Sequence, residues 1–145
     1  LILSNPASSD VSSPSLFEST GANINNTFLN VTYNLGKESI ASGHELIREW
    51  YYQANVTDTA GNIVSGANVT AYNVFGDYEM NLATDSTGFT GLGILIDYVN
   101  NGGTRNYYSD YTIYASKSDY STENHTYNSS LGNNYNDVYS CVPIR

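Results

Sequence analysis

The sequence predicts an all-β fold, an antiparallel β-sandwich of about seven strands with an extended N-terminal tail. The composition is the first reason, because 14 Tyr and 13 Thr residues favour strands while 19 Asn and 18 Ser residues favour turns. The second reason is that apolar and polar residues alternate through several short segments, which is the period of a half-buried strand. The third reason is that turn signals recur between these segments, since Asp58 and Asp85 each precede a glycine by three residues.

Residues 1–20 are predicted to form the tail, and residues 21–145 the folded domain. The tail contains two prolines and many serines, and it shows no sustained periodicity after its first three residues. Five large apolar residues of the tail are the predicted anchors to a protein core: Leu1, Ile2, Leu3, Leu16 and Phe17. Burying a large aliphatic side chain is worth roughly 1.5–3 kcal/mol, so these residues are expected inside their own domain or inside a neighbouring one. The apolar start without Met favours a processed, secreted chain.

The strands are predicted in chain order at 28–35, 51–56, 66–74, 78–84, 89–99, 107–118 and 133–144. Glycines at 36 and 43 break any long helix between the first two strands, although 44–50 is compatible with one helical turn. Residues 100–106 read as a flexible loop, and residues 121–130 as a polar loop or an edge.

Six Asn-x-Ser/Thr sequons are candidate N-glycosylation sites, at Asn25, Asn30, Asn55, Asn68, Asn124 and Asn128. A chain this rich in Asn, Ser and Thr produces roughly four sequons by chance, so their positions matter more than their number. In three of the predicted strands the acceptor Asn alternates with apolar residues, as in "GANVTAY". The strand register that buries the apolar residues therefore exposes the acceptor amides.

The charge balance and the motifs exclude several function classes. The net charge of −9 excludes a basic groove for nucleic acid, and no apolar run is long enough to span a membrane. The segment "GHELIRE" begins like the zinc-peptidase motif H-E-x-x-H, but Arg48 replaces the second histidine. No nucleophile elbow or phosphate-binding loop is present, so neither an enzyme nor a cofactor is expected. Cys141, the one cysteine, is expected to be buried in the last strand, with an intermolecular disulfide as the alternative.

With only 19 formally charged residues and no pattern that indicates a buried ion pair, stability is expected to vary little between pH 7 and pH 3.

The run "VTDTAGNIVSGANVTAYN", followed by "LATDSTGFTGLGI" and "DYTIYASKSDYST", resembles carboxypeptidase-regulatory-like, or transthyretin-like, extracellular domains. The resemblance covers residues 52–122 and implies an Ig-like β-sandwich without catalytic residues of its own. More loosely, a Tyr-, Asn-, Ser- and Thr-rich sandwich with an apolar N-terminal tail resembles the subunits of archaeal thread filaments. That resemblance implies head-to-tail assembly by donor-strand exchange.

Two functions are therefore expected from the sequence. The first is a structural subunit of an extracellular, glycosylated, pilus-like filament on the cell surface, a homopolymer linked through the N-terminal tail. The alternative is a cell-surface adhesin or carbohydrate-binding module, in which exposed tyrosines contact the ligand. The first assigns a role to the apolar tail, whereas the second does not.

Overall fold

The structure, a computed structural model, describes residues 2–3, 17–18 and 25–144. These residues form strands and two short 3-10 helices, Leu35–Lys37 and Ser129–Leu131. The strands are β1 (Ile2–Leu3), β2 (Phe17–Glu18), β3 (Asn25–Leu29), β4 (Glu38–Ser39), β5 (Glu45–Asp58), β6 (Asn68–Tyr72), β7 (Tyr78–Ala83), β8 (Gly93–Asn101), β9 (Thr104–Tyr107), β10 (Tyr111–Ser116), β11 (Glu123–Tyr127) and β12 (Tyr135–Cys141).

The larger sheet is organised around β5. One edge of β5 pairs in parallel with β3 along its first half and with β12 along its second half. The other edge pairs with β8, which in turn pairs with β9, and both of these pairings are antiparallel. The sandwich prediction is confirmed, but this sheet is mixed rather than wholly antiparallel, because β3 and β12 approach β5 from distant parts of the chain.

The smaller sheet has the order β11-β10-β6-β7 and is antiparallel throughout. Its inner face packs against the larger sheet to form the main core, which contains Tyr52, Val56, Val69, Ile113 and Tyr139. Burial alternates strictly along all of β5, as expected for a strand with one face in the core. The acid and base on that inner face, Arg48 and Asp58, are therefore buried with their apolar neighbours.

A second, smaller core forms where β3 and the following chain pack on β5. It contains Phe28, Val31, Tyr33, Ile40 and Leu46. The segment predicted as one strand over 28–35 ends as a strand at Leu29, because Asn30 takes a positive φ of 56°. The predicted alternation still holds beyond that kink, since Val31 and Tyr33 are buried while Thr32 and Asn34 are exposed.

Two other local predictions change in the structure. The segment 44–50 is not a helical turn, because β5 begins at Glu45 and runs through it. The predicted loop at 100–106 is the tip of the β8–β9 hairpin, with Gly102 and Gly103 at positive φ. The polar segment 121–130, predicted as a loop or an edge, contains β11, which is an edge strand of the smaller sheet.

Candidate functional site: glycan acceptors and the tail-binding edge

The predicted acceptors within strands lie on the outer faces of the two sheets. Asn68 and Asn124 are exposed on the outer face of the smaller sheet, and Asn55 is half-buried on the outer face of the larger one. The apolar neighbours of Asn68 in sequence, Ala67 and Val69, are fully buried. For Asn55 and Asn68 the register predicted from the alternation is therefore the register observed, and it turns both amides outward. Asn30, predicted on a strand as well, lies at the kink that ends β3.

The outer face of the smaller sheet is formed by hydroxyl, amide and tyrosine side chains. Across its strands, Asn124 is the register partner of Tyr114, which in turn pairs with Thr70. One step along, Asn68 is the partner of Ser116 on one side and of Ala83 on the other. Such a surface hydrates through groups that do not titrate in acid, as the composition indicates.

The two acceptors in turns use their side-chain oxygens in hydrogen bonds. Asn30 Oδ1 accepts a hydrogen bond from Asn134 Nδ2 at 3.0 Å. Asn128 Oδ1 accepts hydrogen bonds from the backbone N and the hydroxyl of Ser130, so it caps the following 3-10 helix. In both residues these bonds use the side-chain oxygen. The side-chain nitrogen, which is the atom that carries an N-linked glycan, takes no part in them. The side chain of Asn25, at the start of β3, lies outside what the structure describes.

The first tail segment pairs with the edge of the larger sheet. The backbone of β1 runs parallel to β3, with Ile2 opposite Thr27 and Leu3 opposite Phe28. The strand β3 thus lies between β1 and β5, and β1 is the outermost strand at that end of the sheet. β3 itself is held by the smaller core, in which its Phe28 side chain is only 2% exposed.

The second predicted tail anchor lies beside a different strand. The backbone of Phe17 pairs with Glu38 in a two-stranded parallel ladder, β2 with β4. Leu1 and Leu16 lie outside the described residues, and the boundary between a tail at 1–20 and a domain at 21–145 stays a prediction.

A buried polar network is centred on Glu38 of β4 and connects it with β8 and β9. Its carboxylate accepts hydrogen bonds from the hydroxyls of Tyr33 and Tyr98, from the amide of Asn100, and from Arg105 Nε at 3.0 Å. The Glu38 side chain is fully buried, whereas Arg105 is a quarter exposed. Burial on its own would raise the pKa of Glu38, but these four donors outweigh burial and lower its pKa.

A second ion pair, between Arg48 and Asp97, crosses from β5 to β8. Arg48 Nη1 donates to Asp97 Oδ2 at 2.8 Å, and both side chains are at least 96% buried. A β-bulge opposite Arg48 and Glu49 makes two successive residues of β8, Asp97 and Tyr98, point inward. Burial raises the pKa of Asp97 despite the opposing charge of Arg48. The expectation of a fold without buried ion pairs is therefore wrong.

A third polar cluster connects the two sheets at their β11–β12 edge. His125 Nδ1 lies 2.7 Å from Asp137 Oδ1, and Asp137 Oδ2 accepts a hydrogen bond from the Tyr52 hydroxyl. The His125 ring also stacks on Tyr139, with 4.1 Å between ring centroids. Burial would lower the pKa of His125, but the hydrogen bonds and charges of Asp137 and Glu123 outweigh burial and raise it.

The remaining sequence motifs have structural explanations. The zinc-like segment lies on a strand, where residues four apart do not form the helical metal site that H-E-x-x-H requires. Asp58 holds the turn that follows β5, since its carboxylate accepts hydrogen bonds from the backbone of Ala60 and Asn62. Cys141 is a free, buried thiol in β12, as predicted. Among the described residues, no helix has the length and hydropathy needed to cross a membrane.

No protein-family model matches the chain, and no curated protein sequence matches it significantly. Among solved structures, the Bacillus anthracis TIE protein is similar over 75% of this chain and 20% of its own length, with 15% identity and a TM-score of 0.47. Catechol 1,2-dioxygenase from Acinetobacter radioresistens is similar over 79% of this chain and 43% of its own, with 17% identity and a TM-score of 0.40. A variant of the shaft pilin spaA from Lactobacillus rhamnosus GG is similar over 75% of this chain and 54% of its own, with 11% identity and a TM-score of 0.37. The chain thus spans only part of each of these proteins. At these identities and TM-scores the similarity does not indicate a function.

Proposed function

We propose that this chain is a structural subunit of an extracellular, glycosylated filament, in which the N-terminal strand of one subunit pairs with the next subunit. The observation that supports the proposal is the position of β1 at the outer edge of the larger sheet, paired with β3 alone among the described strands. Such a pairing depends on backbone hydrogen bonds, which the same strand of a second, identical chain makes equally well.

The length of the connecting segment allows this exchange. Parallel strands cannot be joined by a tight turn, and residues 4–24 separate β1 from β3. Because β2 lies in this segment and pairs with β4, the connection that must reach between subunits is residues 4–16, which span about 45 Å when fully extended. A domain of this size is about 40 Å across, so the N-terminal strand can reach the equivalent edge on an adjacent subunit.

The geometry of exchange leads to a fibre. Each subunit offers one donor strand and one acceptor edge, and these are different surfaces of the chain. A contact between two different surfaces is heterologous, and it propagates without limit unless the rotation closes a ring. Head-to-tail exchange of β1 therefore explains how identical chains form a filament.

The proposed extracellular location is supported by the acceptor asparagines. Of the five acceptor side chains that the structure describes, none is buried, and Asn68 and Asn124 are exposed. Glycans at these positions can be carried without displacing core residues.

The proposal is tested by electron microscopy of the full chain and of a variant that lacks residues 1–3. We expect long thin fibres from the full chain, and folded monomers with an unchanged far-ultraviolet circular dichroism spectrum from the variant. A second variant with Asn5→Ser, Pro6→Ser and Ala7→Ser is the matched control, because it changes three residues of the connection but keeps β1 and the length of the chain. Fibres that persist without residues 1–3 contradict the proposal.

A further inference from the structure

The outer face of the larger sheet carries an apolar patch, and a sequon lies at its centre. Val138 of β12 is the register partner of Asn55, and Phe89 forms an isolated bridge with Asn55 from the other side. Ile63 is bridged in the same way to Thr57, the sequon hydroxyl residue. Register partners project from the same face of a sheet, so these three apolar residues surround Asn55.

The apolar residues of this patch are exposed to water. Val138 is 64% exposed, Ile63 54% and Phe89 45%. Single exposed apolar residues are ordinary on protein surfaces, but adjacent ones mark a surface that something covers.

Gly88 packs directly beside the acceptor residue. A Cβ at this position would lie 3.0 Å from the backbone O of Val56, 3.2 Å from Ile63 Cγ2 and 3.4 Å from Asn55 Nδ2, so the turn is closely packed there. Its φ of +81° also disfavours any other residue there. A side chain at position 88 would therefore crowd the acceptor nitrogen, and glycine avoids this.

We propose that the first sugar of an N-linked glycan on Asn55 lies against this patch and covers Phe89, Ile63 and Val138. A pyranose ring has apolar faces formed by its C–H groups and a polar rim, so it can cover an aromatic ring while its hydroxyls stay in water. This glycan is thus part of the folded surface. The inference rests on the glycosylation included in the proposed function, but not on polymerisation.

The chain contains its own comparison site. Asn68 is an exposed sequon in a strand of the smaller sheet, and its register partners are Ser116 and Ala83. These small side chains present little apolar surface to a sugar. A glycan on Asn68 is therefore expected to extend into solvent without a stabilising contact.

The test uses two chains that each keep one sequon, Asn55 or Asn68, with the other acceptor asparagines replaced by Gln. Both are produced in a eukaryotic host and trimmed enzymatically to a single N-acetylglucosamine, and occupancy is measured by intact mass. We expect the sugar on Asn55 to raise Tm by about 2–4 °C and the sugar on Asn68 to leave it unchanged. We also expect nuclear Overhauser contacts between sugar protons and the Phe89 ring.

Two substitutions separate the sugar contact from general effects on the sheet. Phe89→Ser is expected to abolish most of the Tm gain from the Asn55 sugar. Ile94→Ser is the matched control, because Ile94 lies on the same outer face, is 44% exposed, and is the partner of Tyr51 instead of Asn55. If Phe89→Ser does not fold, Ile63→Ser provides the same comparison.

Several outcomes overturn the inference. Equal Tm changes at the two sites, without sugar contacts to Phe89, show that the glycan does not use the patch. If the host does not glycosylate Asn55, whether or not it glycosylates Asn68, no glycan is present to cover the patch. Loss of fibres on Phe89→Ser with an unchanged effect of the sugar assigns the patch to a subunit interface. Fibre formation is measured separately, so failure of this inference is distinguishable from failure of the filament proposal.

Discussion

Replacing Glu38 is predicted to destabilise the fold in two distinct steps. Glu38→Gln removes the charge but keeps the shape, and the hydroxyls of Tyr33 and Tyr98 can rotate to accept from the new amide. Glu38→Ala removes the carboxylate, so Asn100 Nδ2 and Arg105 Nε lose their acceptor, while Arg105 Nη2 keeps the Leu35 carbonyl. The first variant therefore reports the charge alone, and the second reports the whole network.

The magnitude follows from the burial of the carboxylate, which is complete, and of Arg105, which is a quarter exposed. Loss of charge assistance in Glu38→Gln is worth about 1–1.5 kcal/mol for one hydrogen bond, the difference between a hydrogen bond to a charged group and one between neutral groups. Breaking a buried pair and stranding its donors in Glu38→Ala costs about 3–5 kcal/mol. For a chain of this length each kcal/mol lowers Tm by about 2–4 °C, so the two variants are expected to be separated by several degrees.

The assay is urea unfolding at pH 7 with thermal unfolding as a second measurement. Glu49→Gln is the matched control, because burial alone raises the pKa of Glu49 and its neutral amide should not destabilise the fold. If both Glu38 variants unfold within about 0.5 kcal/mol of the unmodified chain, as surface substitutions do, the network does not stabilise the fold and the reasoning is refuted.

The same network predicts a pH dependence that the composition does not. The folded state lowers the pKa of Glu38. The stability that Glu38 contributes is therefore fully present above the ordinary glutamate pKa, and it is lost as the pH falls through the lower pKa of the folded state. The raised pKa of Asp97 has the opposite sign, because its contribution is lost as the pH rises. The contribution of Glu38 to stability is therefore expected to be lost below about pH 4, so acid should destabilise Glu38→Gln less than the unmodified chain.

Two further predictions concern other parts of the sandwich. Because the pKa of His125 is raised in the folded state, the stability that His125 contributes is present below about pH 6.5 and is lost as the pH rises through the folded pKa. Urea unfolding between pH 6 and 8 should show this loss of stability, and His125→Asn should remove the pH dependence. Gly93→Ala should destabilise by about 1–3 kcal/mol in urea unfolding, because a Cβ at Gly93 would overlap the Met80 sulfur and press on Leu82. Gly91→Ala, where nothing lies within 4 Å of the added Cβ, is the control and should cost much less.

The strands with strict alternation could be predicted from the sequence. Val56 and Val69 are buried where the pattern places them, and the turn that begins at Asp58 forms as its spacing indicates. Local chemistry sets these features. The parallel pairing of β5 with β3 and β12 could not be predicted, because partners far apart in the chain are not encoded in any local pattern.

The buried polar groups were missed for a related reason. A strict period of two places Asp97 inward, but the bulge then turns Tyr98 inward as well, and no residue in that segment signals the shift. Glu38 looks like a surface residue in a glycine-flanked turn, and only the folded chain brings Arg105 to it. The sequons were identifiable from a three-residue motif, whereas the apolar surroundings of Asn55 come from three separate segments.

The most direct test of exchange in trans is a disulfide between residues that pair across β1 and β3. Ile2 and Thr27 are register partners, and neighbouring strands bring Cα atoms to the separation that a disulfide requires. Chains with Ile2→Cys are mixed with chains with Thr27→Cys and oxidised, and the buried Cys141 alone serves as the background. Strand exchange predicts disulfide-linked dimers that contain one chain of each kind, and a ladder of longer products when both substitutions are in one chain. Absence of mixed dimers, together with an intramolecular disulfide in a monomeric double variant, would contradict the account.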